Sequence, residues 1–433
     1  MNTESQRPTL HIVIVGAGIA GLTAAIALGK QGHHVEIIEK SKFAQETGAA
    51  VHLPPNCTAL LNWMDIDPAQ FGGNLLEQMH FYDSHGFLRH KKQFAEIRGK
   101  WQAEWYLAHR VDLHNHLKQR AKETATLHTG CKIVSVNIKT GPPSVALDDG
   151  RVFVGDILLG ADGLRSCIRR EIAPASPAPY VVDKSCFRWL LPTSDLKKAT
   201  ATAESVREPG VFVEWAAGDR RLVAYPCSDN RMFNMVAFLP TADAGIPGGG
   251  WQATGDKTAL VHAFSEFPSG VRALAEQAGD DLKVWELYEM ESLPTWVTGH
   301  CALLGDAAHP FQPCKSALSA AYEMPTNVVD LGQGAAMAIE DAVSLATLLP
   351  RNTKTDDIPA RLLLYEKARR PRVEMILGYT RLNGRDENDS SARRVTVTEM
   401  VHFMNKCFDH NEIKASSSLL EDSLAEKTLS SLT

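Results

Sequence analysis

The stretch His11-Ile-Val-Ile-Val15-Gly16-Ala-Gly18-Ile-Ala-Gly21, continued by His34-Val-Glu-Ile-Ile-Glu39, decides the fold. His11–Val15 is a short apolar run, Leu22–Lys30 has helical composition, and His34–Glu39 returns as a second strand ending in an acid. This order is a βαβ unit, the opening of a doubly wound α/β sheet. Gly16 allows the tight turn, Gly18 lets backbone approach a pyrophosphate, and Gly21 lets helix and strand pack closely. The helix N-terminus offers free N–H groups and a positive dipole end to phosphate. Glu39 can accept hydrogen bonds from both ribose hydroxyls, and Lys40 follows it. A glycine turn needed only for packing is the competing reading of the glycines alone. With strand, helix and acid all in place, a dinucleotide site is the better one.

Working outward, the 433 residues suffice for two or three lobes. Hydrophobic residues make up 44% and charged residues 22%, which excludes a disordered or fibrous chain. Lys and Arg number 45 against 51 Asp and Glu, a net charge of −6, and the cations are scattered, so nucleic acid is not an expected partner. The eight cysteines form no CxxC pair and read as reduced thiols. The polar start MNTESQRPT lacks the apolar run of a secretory signal, and no membrane span is convincing: Ile12–Leu28 is broken by glycines. A cytoplasmic location is expected.

Further along, a helix is expected around Thr58–Met64, β structure over residues 80–107, a helix at Val111–Glu123, and strands at Lys132–Ile138 and within Val152–Leu159. From Tyr180 to Leu293 strand-like runs dominate (Val211–Trp215, Arg221–Tyr225, Met232–Leu239), with one helix at Lys257–Gln277. Cys301–Gly305 is again a buried strand and Ala335–Leu349 a strong helix. The Ser- and Glu-rich last twenty residues read as frayed. The organisation is a nucleotide-binding lobe over 9–178, a mostly β lobe over 179–297 to which 80–107 contributes, a return to the first lobe over 298–385, and a C-terminal helix and tail over 386–433.

Ala25 and Gly32 extend the first motif, and three more short patterns follow in order: His109-Arg110-Val-Asp112-Leu113, Gly160-Ala-Asp162-Gly163, and Gly305-Asp306-Ala-Ala-His309-Pro310. Together they resemble the FAD-dependent aromatic hydroxylases (group A flavoprotein monooxygenases), in the salicylate hydroxylase-like branch, over roughly residues 9–385. The resemblance implies an FAD-binding Rossmann-like lobe with an inserted, mostly β substrate lobe. It implies that Arg110 reaches the FAD phosphate region and that Asp162 serves the pyrophosphate and the passing nicotinamide cofactor. Asp306 would bind the ribityl chain, Ala50 and Val51 would pass the isoalloxazine edge, and the helix start at Ala335 would stabilise charge on the reduced flavin. Asp162 as an ordinary turn residue, Asp306 as a helix cap and Arg110 as a surface ion-pair partner are the competing readings.

No second strand–GxGxxG–helix unit exists, so NAD(P)H would dock transiently. The implied chemistry is reduction of FAD by NAD(P)H, addition of O₂ to give a C4a-hydroperoxide, and oxygen delivery to an electron-rich ring. In phenol-oxidising relatives an arginine and a tyrosine on the β lobe hold a phenolate, and Arg188 and Tyr225 match those positions; structural roles carry comparable weight. His52 beside the flavin is either a covalent tether or polar packing. No metal site is expected, because the histidines lack spacing such as HExxH. The partners implied are a small aromatic substrate and O₂, and homodimer assembly is left open. A flavin oxidase or dehydrogenase without oxygen insertion is the rival reading, and an inactive FAD-binding protein is another.

Relatives pass from GDAAHP to GQGAAMAIEDA in about seven residues, whereas here Lys315–Asp330 adds sixteen. Codons allowed by Cys314-Lys-Ser, Thr326-Asn327 and Val329-Asp330 can spell an intron donor, branch point and acceptor. Their excision would restore Pro-Tyr-Leu-Gly-Gln-Gly, so a retained intron and a genuine lid loop are both open readings.

Overall fold

The computed structural model describes residues 9–43, 50–198, 200–203, 208–245, 253–279, 282–311, 332–382 and 396–432. The first sheet runs in the order Val297–Thr298, Cys301–Leu303, Ile157–Gly160, β1 (His11–Val15), β2 (His34–Ile38), Ala125–His128. All neighbours are parallel except the first pair. The helix α1 (Ile19–Lys30) makes the crossover from β1 to β2. Its residues Ala20–Leu28 are all buried, which is why it is apolar almost all round. The register sets the carboxyl ends of β1, Ile157–Gly160 and Cys301–Leu303 along one edge. That edge is where doubly wound sheets bind ligands.

The second sheet has eight strands, in the order Ala253–Thr254, Lys283–Glu289, Tyr180–Pro192, Met232–Leu239, Arg220–Cys227, Val211–Ala217, Gln78–Asp83, Leu88–Gln93. Alternation divides its side chains between two cores. Cys186, Val223, Tyr225, Val236 and Phe238 join the core of the first sheet. Phe187, Ala224 and Ala237 instead pack with Leu260 and Leu274 of two short helices. The strand Ala50–Leu53, here β3, pairs with Tyr106–His109 where the two lobes meet.

Several elements differ from expectation. The single helix expected at Lys257–Gln277 is two, Lys257–Ala263 and Ser269–Glu276, parted ahead of Pro268. Residues 80–107 supply strands Gln78–Asp83, Leu88–Gln93 and Tyr106–His109, but Trp101 and Trp105 pack edge-on against Phe408 instead of extending a sheet. The tail read as frayed is the helix Glu412–Leu432. Its first residue is buried in the charge network described next, a tertiary anchor that composition does not reveal.

That network joins three helices. From Gln333–Leu348 come Glu340 and Asp341, from Ile358–Leu382 come Arg369 and Arg372, and from the last helix comes Glu412; all five are buried. Arg369 Nε donates to Asp341 (2.9 Å) and its Nη1 pairs with Glu340 (2.7 Å) and Glu412, while Arg372 forks onto Glu340 (2.6 and 2.7 Å). Asn56 donates to Glu340 at 2.7 Å. His309 and His410 donate to Asp341 (2.6 Å) and Glu412 (2.8 Å), so that three carboxylates are shared among two guanidiniums and two imidazoles.

Burial alone would raise these carboxyls, but the facing cations outweigh it. Arg372 and Arg369 hold Glu340 far below the usual range, His309 and Arg369 hold Asp341 below it, and Arg369 with His410 does the same for Glu412. A depressed native pKa means that the unfolded chain binds protons the native state does not. The stabilisation is therefore complete above the ordinary carboxylate pKa of about 4 and is lost as pH falls below it. Each carboxylate is expected to contribute a slope of about 1.4 kcal/mol per pH unit there. Urea midpoints measured from pH 7 down to pH 3 check this, and a flat profile between pH 5 and pH 3 would contradict it.

Candidate active site

Three turns converge at the carboxyl edge of the first sheet. Gly16 has φ +102°, and a Cβ there would lie 2.4 Å from the carbonyl oxygen of Ala161. The 160–163 turn therefore rests directly on the first glycine. At Gly21 a Cβ would lie 2.0 Å from the Gly16 oxygen, so helix and strand touch backbone to backbone. Gly18 meets nothing within 4 Å and is the N-cap of α1, where no side chain caps the helix. Gly305, at φ +59°, would bring a Cβ within 2.9 Å of Ala20, so the third turn lies on the same helix.

Asp306 stands on the floor of this cleft with its side chain exposed. The dense protein around it pushes its carboxyl upward, against the opposing pull of His309, Arg110 and Arg169. Arg169 is buried and donates to the carbonyls of Ala307 (3.1 Å) and Leu164, tying the second turn to the third. Asp341 accepts the Gly305 N–H at 2.9 Å, which connects the charge network to the same turn.

Glu39 is buried, and its two oxygens accept the N–H groups of Ala17 (2.7 Å) and Ser41 (2.6 Å). It thus fixes the glycine turn as well as standing at the strand end. Lys40 beside it is exposed. Asp162 accepts from Ser166 Oγ (2.5 Å) and the Cys167 N–H (2.6 Å), so its carboxylate caps the helix Cys167–Ile172. Arg110 begins the helix Arg110–Ala121, and His114 one turn on donates to the Ala17 carbonyl at 2.7 Å. Sequence reasoning passed over His114, although its i+4 spacing from Arg110 puts both on one face.

Ala50, expected at the flavin edge, is held by side chains from the β lobe. The N–H of Ala50 donates to Asn234 Oδ1 at 3.0 Å, and its carbonyl accepts from the Tyr225 hydroxyl at 3.0 Å. His52 is buried against Tyr225, Phe212 and Trp105, with ring centroids 4.8, 5.6 and 5.7 Å away, an environment of packing. Gly332, at φ +62°, caps the helix Gln333–Leu348, and a Cβ there would sit 2.3 Å from the His52 Cβ. The helix start that includes Ala335 therefore abuts β3, where Val51 is half-buried. The insert Lys315–Asp330, and with it the choice between intron and lid, lies outside the described residues.

On the same sheet face as Tyr225, Arg188 stacks over Trp285 at 5.4 Å, while Arg221 pairs with Glu214 at 3.6 Å and lies over Phe238 at 4.2 Å. The buried Arg221–Glu214 pair was not singled out from sequence, because the two residues meet only through strand pairing. The described cysteines are free, and burial pushes the thiols of Cys227, Cys301 and Cys407 up to about 12. Among the described residues no helix is long and apolar enough to cross a membrane.

A parallel sheet with a glycine turn, an uncapped helix start and an aspartate on the cleft floor, faced by an aromatic-lined β wall, defines a dinucleotide-dependent oxidoreductase. Comparison with known proteins sharpens the class. Residues 14–44 match the family described as NAD(P)-binding Rossmann-like domain. The chain is 33% identical to hispidin-3-hydroxylase of Neonothopanus nambi over 401 residues, covering 85% of this chain and 87% of that protein. It is 31% identical to the FAD-dependent monooxygenase cfoG of Aspergillus candidus, covering 85% and 84%. A salicylate hydroxylase solved as a substrate complex superposes with a TM-score of 0.75 at 22% identity, covering 96% of this chain and 98% of that one. The chain belongs to the FAD-dependent aromatic hydroxylase family and is a monooxygenase that binds FAD.

Proposed function

We propose that the enzyme consumes NAD(P)H and O₂ to hydroxylate a small phenolic ring held between the β wall and the edge of β3. Bound FAD would supply hydride acceptance and oxygen activation. The overall balance is aromatic C–H, NAD(P)H, H⁺ and O₂ in; phenol C–OH, NAD(P)⁺ and water out. The convergence of three turns at Gly16, Ala161 and Gly305 carries this reading, because it leaves Gly18 and Asp306 open to the cleft with an uncapped helix start between them.

In this proposal Gly16, Gly18 and Gly21 cradle the pyrophosphate, Glu39 and Lys40 stand at the adenosine ribose, and Arg110 neutralises phosphate charge. Asp162 holds the second turn against Gly16, and Asp306 takes the ribityl chain. Ala50 and Val51 border the ring, and the helix start at Ala335 directs its positive end toward it. On the substrate side Arg188 offers the cation for a phenolate. Tyr225 gives its proton to Ala50, so its oxygen is left as an acceptor for a substrate hydroxyl. It would act both on the substrate and as a positioning residue for β3.

The test is turnover of a panel of hydroxylated benzoates, simple phenols and hydroxylated pyrones under ¹⁸O₂, on the full-length chain and on one lacking residues 315–330. One labelled oxygen per product and NAD(P)H oxidation accelerated by the substrate are expected. Tyr225→Phe should lower kcat about 10²-fold or more and raise KM, because both β3 and the substrate hydroxyl lose a partner. Peroxide in stoichiometric yield without labelled product across the panel would instead identify an oxidase.

A further inference from the structure

The parallel pairing of β1 and β2 sets His11 opposite His34. Their side chains share a face, their ring centroids lie 4.7 Å apart, and Glu36 follows on that face two residues along. Glu36 is held at both oxygens: His11 Nε2 lies 2.8 Å from Oε2, and His128 Nε2, from the next strand, lies 3.0 Å from Oε1. One ligand atom each from His11, His34 and Glu36 falls within a 4.8 Å group. Nothing in the flavin chemistry uses these residues. They sit at the start of strands whose far ends carry the glycine turn, about 15 Å away at roughly 3.3 Å per residue.

We propose that His11, His34 and Glu36 form a binding site for a divalent transition metal of the zinc class. Two imidazoles and a carboxylate are the donor set of open zinc sites, in which water takes the fourth position. At ligand distances of about 2.0–2.2 Å, tetrahedral donors stand about 3.3–3.6 Å apart. The present spacings of 2.8 Å and up to 4.8 Å bracket that value. Closing the site needs a turn of the exposed His34 side chain and a widening of about 0.5–0.8 Å between His11 Nε2 and Glu36 Oε2. His128 keeps its bond to the second carboxylate oxygen and orients it, as outer partners of metal ligands do.

Two further observations favour a metal over an ordinary polar cluster. The donors come from adjacent hydrogen-bonded strands, so their backbones are fixed before any ion arrives. The His11, Glu36 and His128 side chains are 34%, 18% and 23% exposed, which gives an ion a path in. For His11 Nε2 to ligate the ion, its ring takes the tautomer with the proton on Nδ1.

The FAD-loaded full chain, first treated with chelator, is titrated with ZnCl₂ by calorimetry, and Co²⁺ absorption serves as a second probe. The wild type should bind one Zn²⁺ equivalent more than the His11→Ala/His34→Ala variant, and single His34→Ala should bind that ion at least tenfold more weakly. Zn²⁺ should raise the wild-type melting temperature by several degrees and leave the double variant unmoved. Retained flavin absorbance establishes that the variants are folded, and sites elsewhere cancel in the difference. Equal stoichiometry and affinity in wild type and variants, or no Zn²⁺ bound by either, overturns the proposal.

Discussion

Arg369→Met is expected to lower the unfolding free energy by about 3–5 kcal/mol, the cost of leaving buried carboxylates without their cation. Arg369 is fully buried and bonds three carboxylates, Glu340, Asp341 and Glu412, on two other helices. Methionine conserves much of the volume, so the loss is electrostatic and not a cavity effect. The carboxylates would respond by binding protons, and the acid limb of the stability curve should move to higher pH. Because Asp341 also holds the Gly305 N–H and His309, FAD affinity should fall together with stability. Urea midpoints at pH 7 and pH 5 measure the effect. A loss under about 1 kcal/mol at both would mean that Arg372, His309 and His410 suffice without Arg369.

Gly16→Ala is expected to weaken FAD binding by about two orders of magnitude, about 2.7 kcal/mol. Two costs combine at this position. A non-glycine residue at φ +102° is strained by about 1–3 kcal/mol. Its Cβ would also lie 2.4 Å from a backbone oxygen, so either β1 or the Ala161–Asp162 turn must retreat by about 1 Å. A displacement of that size in a positioning element costs about 10²-fold. Gly150→Ala is the control: its φ is +86° with nothing within 4 Å of the added Cβ, so it carries the backbone strain without the clash. Titration with FAD by flavin fluorescence separates the two. Equal affinities in Gly16→Ala and Gly150→Ala would show that contact between the turns does not shape the phosphate cradle.

Much of the nucleotide half was legible because its signals are local. Gly16, Gly18 and Gly21 spell the turn between two adjacent elements, and β1, α1 and β2 follow from apolar patterning over the same span; the contact of Gly16 with Ala161 is the long-range part that patterning does not show. Asp306 could be placed at a strand end because Ala302–Leu304 precedes it directly. Glu39 was placed at the ribose, yet both its oxygens also hold backbone N–H groups. Short-range patterning could not show that second duty, since Ala17 lies 22 residues away. The helix Ile358–Leu382 was not read at all, for it carries Pro371 and three buried arginines, so its apolar stripe is interrupted.

The sequence by itself determined the doubly wound class, the dinucleotide turn and the family, since each rests on short patterns whose geometry is set by the residues that spell them. The tertiary structure alone decided how Tyr225 and Asn234 grip Ala50, how Arg369 gathers carboxylates from two other helices, and how His11, His34 and Glu36 meet across strands. The physical reason is range. A glycine's conformation and a strand's alternation are written in neighbouring residues, whereas a buried charge finds its partner only when distant segments pack and exclude water.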